Sequence, residues 1–371
     1  MAHNDQPSAG LGDSGRGTDS VGQPGFGASV ATTDATHTHP DQNHAVGVDP
    51  QATAPVETSM TGKKRPGDRV FEFLSSFSAT LITVIIAAIG IFLLWQAVPP
   101  LARNDGGLLG FFTYTGQWQT NDLDSMKFGI PNLFFATVMI SLIALIIAMP
   151  VALGIAIFLS NYAPKNLVRP LGMLIDMLAA VPSIVYGLWG AQVLGPKLSG
   201  FYEWVDSWGG DFFLFKTYPN SPAFASGRNI LTGGIVLAVM ILPIIAATAR
   251  EIFVQTPPGQ IESALALGAT RWEVIRMTVL PFGLSGYIAG SMLGLGRALG
   301  ETMALYMVVS PSIDFHPSLF HGGTTFATLI ASAAAEFNNK ISAGAYIAAG
   351  LVLFLLTFIV NSIARSIANK K

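Results

Sequence analysis

Residues 293–308 read LGLGRALGETMALYMV, an apolar run interrupted by Arg297 and Glu301. On an α-helix, side chains four apart share a face, so the spacing predicts a guanidinium beside a carboxylate. A charge at the centre of a bilayer costs at least about 2.5–3.5 kcal/mol on insertion scales, so the pair must face protein or water. Two roles are open to it. It can be an ion pair that fixes how this segment packs on a neighbour. Alternatively, Arg297 can help an anion along a path, because the planar guanidinium donates two parallel hydrogen bonds to an oxyanion. Glu301 would then hold the guanidinium in place and keep it from gripping a divalent anion too tightly to release. Asp176 is a further acid in an apolar run, and its place near Arg169, at an expected membrane edge, favours a structural role.

The elements that position these charges follow from composition. Of 371 residues, 51% are hydrophobic and only 11% charged, with a mean hydropathy of +0.51. Soluble domains carry about 25% charged residues, so the chain lacks the surface of one and reads as an all-α integral membrane protein. Six apolar segments, near 71–98, 131–159, 168–194, 230–252, 278–309 and 343–366, are each long enough to span the hydrocarbon layer. The net charge of −2 gives no reason to expect nucleic acid. There is no cysteine, which excludes disulfides, thiolate metal sites and a cysteine nucleophile. The polar opening, residues 1–62, contains no apolar core of a signal peptide and too few apolar residues to fold, and is expected to be a disordered cytoplasmic tail. Its His37, His39 and His44 sit without acidic or cysteine companions at fixed spacing, so a solvated tail is favoured over a metal site.

Orientation is read from Lys and Arg. With the N-terminus inside, the inner flanks hold Lys63, Lys64, Arg65, Arg69, Lys165, Arg169, Arg250, Arg271, Arg276, Arg365, Lys370 and Lys371. The outer loops hold only Arg103, Lys127, Lys197, Lys216, Arg228 and Lys340, so both termini are expected in the cytoplasm.

Pro150, Pro182 and Pro243 each interrupt a span, and each removes a backbone hydrogen bond that neighbours must replace. Such breaks suit a transporter better than a passive anchor. Gly286, Gly290 and Gly294 recur every fourth residue, with Gly296 and Gly300 a second such pair, a pattern that lets another helix approach closely. The outer loop at 195–229 is rich in aromatic residues, among them Phe201, Tyr202, Trp204, Trp208, Phe212 and Phe213. They can dock a soluble partner or rest at the membrane interface.

Between the fourth and fifth spans lies QTPPGQIESALALGATRWEVIRMTVLP, residues 255–281. Thr256 is a candidate helix N-cap, with Pro257 at the first helical position. Ile261, Ala264, Leu265 and Gly268 share one face of a short helix. Gly268 can end it in a left-handed conformation, and Thr270 with Glu273 forms a capping box that starts another helix. A compact helix pushed out between two spans fits a groove on another protein. An ordinary helical loop would read the same way.

The stretch ESALALGATRWEVIRMTVLP resembles the EAA-type signature of ABC-importer permeases: Glu262, Ala264, Gly268, Leu280 and Pro281 match it. Ser263 stands where an alanine is usual, and Thr278 where a branched apolar residue is. NLFFATVMISLIALIIAMPVALGIAIFLSNYAP, AAVPSIVYGLWG and GLGRALGETMALYMV are in turn similar to permease subunits of phosphate importers, of the PstC type more than the PstA type. The resemblance covers roughly residues 65–371. It implies a six-helix, MetI-like permease domain over residues 63–371, with a coupling helix at about 256–269 that sits in the cleft of an ATPase through Glu262, Ala264, Gly268 and Ala269. Gly290, Gly294 and Gly300 would serve helix packing, and Arg297 and Glu301 the substrate path.

The family further implies a second permease subunit of the PstA type, two copies of an ATP-binding subunit of the PstB type, and an extracytoplasmic phosphate-binding protein of the PstS type. The chain would lie in the cytoplasmic membrane and move phosphate by alternating access. It contains no G-x-x-x-x-G-K-[ST] loop, so ATP and Mg would be used by the partner subunits and the chain itself would not be an enzyme. Two alternatives stand beside this: an ABC permease for sulfate, molybdate or a phosphonate, and a secondary transporter working without ATP, which would have no need of the coupling helix.

Overall fold

The computed structural model describes residues 66–122, 125–210, 212–218, 222–312, 315–334, 337 and 339–369. The expected tail, with its histidines, lies outside them. The described residues form helices, and the only extended pairings among them are the isolated bridges Asn104–Met126 and Gln119–Lys127.

The chain begins with α1 (Pro66–Arg103), a short α2 (Gly107–Thr113) and α3 (Pro131–Ile157), which a π-helical turn extends to Tyr162. Then come α4 (Lys165–Ala180), α5 (Ser183–Trp189), α6 (Gly195–Gly209), α7 (Pro222–Ala225) and α8 (Ile230–Val254). The second half comprises α9 (Pro258–Ala266), α10 (Arg271–Val274), α11 (Leu280–Leu299), α12 (Met303–Val308), α13 (Phe326–Ala333) and α14 (Lys340–Asn369). Among the described residues five helices are long and apolar enough to cross a membrane: Pro66–Arg103, Pro131–Tyr162, Ile230–Val254, Arg271–Leu299 and Lys340–Ser366. A bent pair, Lys165–Ala180 with Ser183–Gly209, makes a sixth when taken as one span.

Helix α8 is the hub, packed by α3, α4, α11 and α12. Its contact with α3 is made by small side chains. Ala136, Ala144, Ala148, Ala152 and Ala156, spaced on one α3 face with Ile140, are all buried, and α8 answers with Gly233 and Gly234. A Cβ at Gly234 would lie 2.6 Å from Ile143 Cγ2, so the backbones approach closely. Without a hydrophobic drive between helices in lipid, close backbone packing of this kind is what holds them together. Tyr287 of α11 adds a polar link, donating its hydroxyl to the Met149 carbonyl of α3 at 2.8 Å. Helix α1 is exposed along most of its length and leans on α14.

Two expected spans differ from the structure. The run 168–194 is not one helix: α4 and the helices after it meet at 87° across Val181 and Pro182. Val181 is extended (ψ 130°), the conformation that a following proline favours, and from Ser183 a helical stretch runs on to Gly209, into what reads as outer loop. The run 278–309 also breaks, because α11 stops at Leu299 and α12 starts at Met303. Pro150 and Pro243, by contrast, sit inside unbroken helices.

Candidate functional site

Two places carry the chemistry. The first is the break between α11 and α12. Arg297 lies in the last turn of α11, exposed, where a cation favours the negative end of the helix dipole. It lines a cavity of about 690 Å³ between α8, α11 and α14, with Ile244, Met292, Leu293, Asn361 and Arg365 among its walls. Glu301 is buried (8% exposed) in the Gly300–Thr302 link. Its Oε1 accepts the main-chain N–H of Ala304 at 3.1 Å, satisfying a donor in the first turn of α12. The two residues therefore do not share a helical face, and among the described residues no ion pair within 4.0 Å joins them.

What holds α12 in place is close packing on α5 and on the turn of helix that follows it. A Cβ at Gly187 would lie 2.9 Å from Ala304 Cα, and one at Gly190 would lie 2.8 Å from Val308 Cγ2. Glu301 thus sets the start of a helix that is pressed on the bent segment, while Arg297, one turn back, faces the cavity.

Along α11 the glycines differ. Gly283 faces Phe253 and Gly286 faces Ile252, each with no room for a Cβ. A Cβ at Gly290 would lie 2.9 Å from Thr248 Cβ, and one at Gly294 would lie 2.9 Å from Ile245 Cγ1. These four glycines let α11 lie against α8. At Gly300 a Cβ would meet only the Gly296 carbonyl, at 3.8 Å.

The second place is the elbow. Helix α9 starts one residue later than the spacing predicts, at Pro258, because Pro257 itself precedes a proline and is held extended (ψ 125°). Thr256 does not cap it. Its hydroxyl donates to the Phe253 carbonyl at 2.9 Å, closing the end of α8. At the other end Gly268 adopts φ +86°. Its N–H donates to Leu265 O at 2.9 Å, and that of Ala269 donates to Ala264 O at 3.2 Å, the paired bonds of a Schellman stop. The Thr270–Glu273 capping box is complete: Glu273 Oε2 accepts the Thr270 N–H at 2.7 Å, and Thr270 Oγ1 accepts the Glu273 N–H at 3.4 Å.

The result is a rigid knuckle with an exposed face. No residue of α9 is buried, and Glu262 is exposed while Ala264 and Ala269 are half-buried. Beside them stand two apolar side chains that the sequence reading did not single out: Leu267, 89% exposed, and Trp272, 55% exposed. Large apolar residues flanking a glycine turn between two spans were the available signal. Val274, Ile275 and Val279, all buried, anchor the knuckle, and Ile261 packs on the core around α8.

The family model described as binding-protein-dependent transport system inner membrane component matches residues 148–371. Over 308 residues the chain is 52% identical to the phosphate transport system permease protein PstC 2 of Mycobacterium tuberculosis, covering 83% of this chain and 93% of that protein. It is 50% identical over 302 residues to the PstC protein of Mycobacterium leprae, covering 81% and 93% of the two chains. To the PstC protein of Xylella fastidiosa it is 38% identical over 316 residues, covering 84% and 94%.

Proposed function

The chain belongs to the family of binding-protein-dependent transport system inner membrane components, and from that premise we propose that it is the permease subunit of an ATP-driven importer of inorganic phosphate. The observation that carries the substrate is 52% identity, over most of both chains, to a permease named for phosphate transport. The elbow supports the drive, since a stiff, capped helix with an exposed apolar tip is suited to a groove on an ATPase. Glu262, Ala264, Gly268 and Ala269 shape that helix, and Leu267 and Trp272 are its contacts. ATP hydrolysis, with its Mg, belongs to a separate PstB-type subunit present in two copies. A PstA-type permease and a PstS-type binding protein complete the assembly.

In this reading the chain lies in the cytoplasmic membrane with both termini inside, which the excess of Lys and Arg on the α9 side supports. Alternating access brings the anion from the binding protein to the level of Arg297. The guanidinium then contributes charge-assisted hydrogen bonds, and Glu301 balances its charge while fixing the start of α12. The broken helix is a recurrent device at transport sites, where unwound backbone is tolerated because it lines a cavity.

Cells lacking the gene test the substrate. Rescue of radiolabelled phosphate uptake by the intact chain is expected, with sulfate and molybdate as parallel substrates. Unchanged phosphate uptake after deletion, with sulfate or molybdate uptake lost, would assign a different oxyanion to the same machine.

A further inference from the structure

Arg365, near the end of α14, lines the same cavity as Arg297. Asn361 precedes it by four residues and so shares its helical face. The remaining wall residues are apolar side chains and glycine, and no acid is among them. Among the described residues neither guanidinium has a hydrogen-bond or ion-pair partner, and both are exposed, so a ligand can reach them.

Two cations on otherwise apolar walls, with no acid among them, give the cavity a positive potential that favours an anionic ligand. A cationic ligand would be repelled by both, and a neutral apolar one would leave both unpaired. An oxyanion answers both, because each guanidinium presents a planar fork matched to phosphoryl oxygens and the Asn361 amide adds further donors. We propose that Arg297, Arg365 and Asn361 form a binding site for a phosphoryl oxyanion, with Arg365 a second cationic station beyond Arg297. This rests on the reading of the chain as an oxyanion permease, in which Arg365 receives the anion on its way to the side where the chain ends. The same chemistry is offered by free phosphate and by the headgroup of a membrane phospholipid lying in the groove between α11 and α14.

The chain has no cysteine, so Leu293→Cys places one thiol of this subunit in the cavity wall. Its alkylation is followed in the full complex in detergent, with inorganic phosphate against chloride at matched ionic strength. It is then repeated in phosphatidylcholine vesicles with and without phosphatidylglycerol. Phosphate is expected to slow alkylation. Arg365→Gln is expected to raise the half-protecting concentration about tenfold, the effect of one lost charge-assisted hydrogen bond, with Arg365→Lys between the two. Slowing only in phosphatidylglycerol vesicles, lost in Arg365→Gln, supports the site with a lipid headgroup as its ligand. No slowing under either condition, or protection indifferent to Arg365→Gln, overturns the proposal. Phosphate uptake by the same complex is scored separately: uptake without protection removes this site and leaves the importer reading, and protection without uptake does the reverse.

Discussion

The Glu301 carboxylate accepts the main-chain N–H of Ala304 at 3.1 Å, buried where α11 has ended and α12 begins. One side chain therefore both closes an open helix end and carries a negative charge one turn from Arg297. Glu301→Gln separates the two, because it keeps an acceptor oxygen and removes the charge. Uptake is expected to fall while the amount of subunit in the membrane holds. Uptake equal to that of the unaltered chain would leave Glu301 as a helix cap alone. Glu301→Ala removes both, and is expected to lower stability by about 1 kcal/mol, the usual worth of a cap, in thermal unfolding of the purified complex.

Arg297 is exposed in the subunit and has no bonded partner among the described residues, so little stability rests on it. Arg297→Ala is expected to shift unfolding by less than about 0.5 kcal/mol, as for a surface substitution, yet to cut uptake in a fully assembled complex. Arg297→Lys should restore only part, since lysine keeps the charge but not the planar fork. Full uptake by the alanine variant would remove Arg297 from the path.

The α11–α8 contact makes a sharper structural prediction. A methyl group at Gly290 would meet Thr248 Cβ at 2.9 Å, whereas one at Gly300 meets only the Gly296 carbonyl at 3.8 Å. Gly290→Val should therefore overpack the contact and cost about 1–3 kcal/mol. Gly300→Ala should be close to neutral. Thermal unfolding of the two variants side by side checks this, and equal midpoints would mean that α11 moves away from α8 without penalty.

Gly268 holds φ +86° with open space around it, so backbone conformation alone decides what fits there. Gly268→Ala is expected to cost about 1–2 kcal/mol at the left-handed position. Gly268→Asn should be milder, because asparagine tolerates that conformation better. Faster hydrogen exchange in residues 264–270 of the alanine variant, with the rest of the chain unchanged, is the expected signature.

These features were unequally legible in the sequence. The knuckle was readable because its signals are local: a glycine that must turn left-handed and a Thr-x-x-Glu that satisfies its own N–H groups. The apolar spans were readable from length and composition. The break at Glu301 was not, because apolar residues continue on both sides of it. What fixes it is tertiary: α12 presses on Gly187 and Gly190 of a helix more than a hundred residues earlier. The bend at Pro182 is hidden for a related reason, since Pro150 and Pro243 show the same residue type carried inside continuous helices. Arg365 looked like one more basic residue at a membrane edge until the fold placed it in a cavity with Arg297.

The central claim is that the elbow transmits ATP-driven motion to a phosphate path. The most direct measurement is phosphate uptake and ATP hydrolysis in the same proteoliposomes, comparing the unaltered complex with Leu267→Glu. Leu267 is 89% exposed, so the charge should leave the fold intact and act only on what the side chain docks against. The account predicts that ATP-dependent phosphate uptake falls at least about tenfold, as expected when a hot-spot anchor is lost, with the ATPase either released or hydrolysing without transport. Uptake at the unaltered rate, with the ATPase still bound, would contradict it.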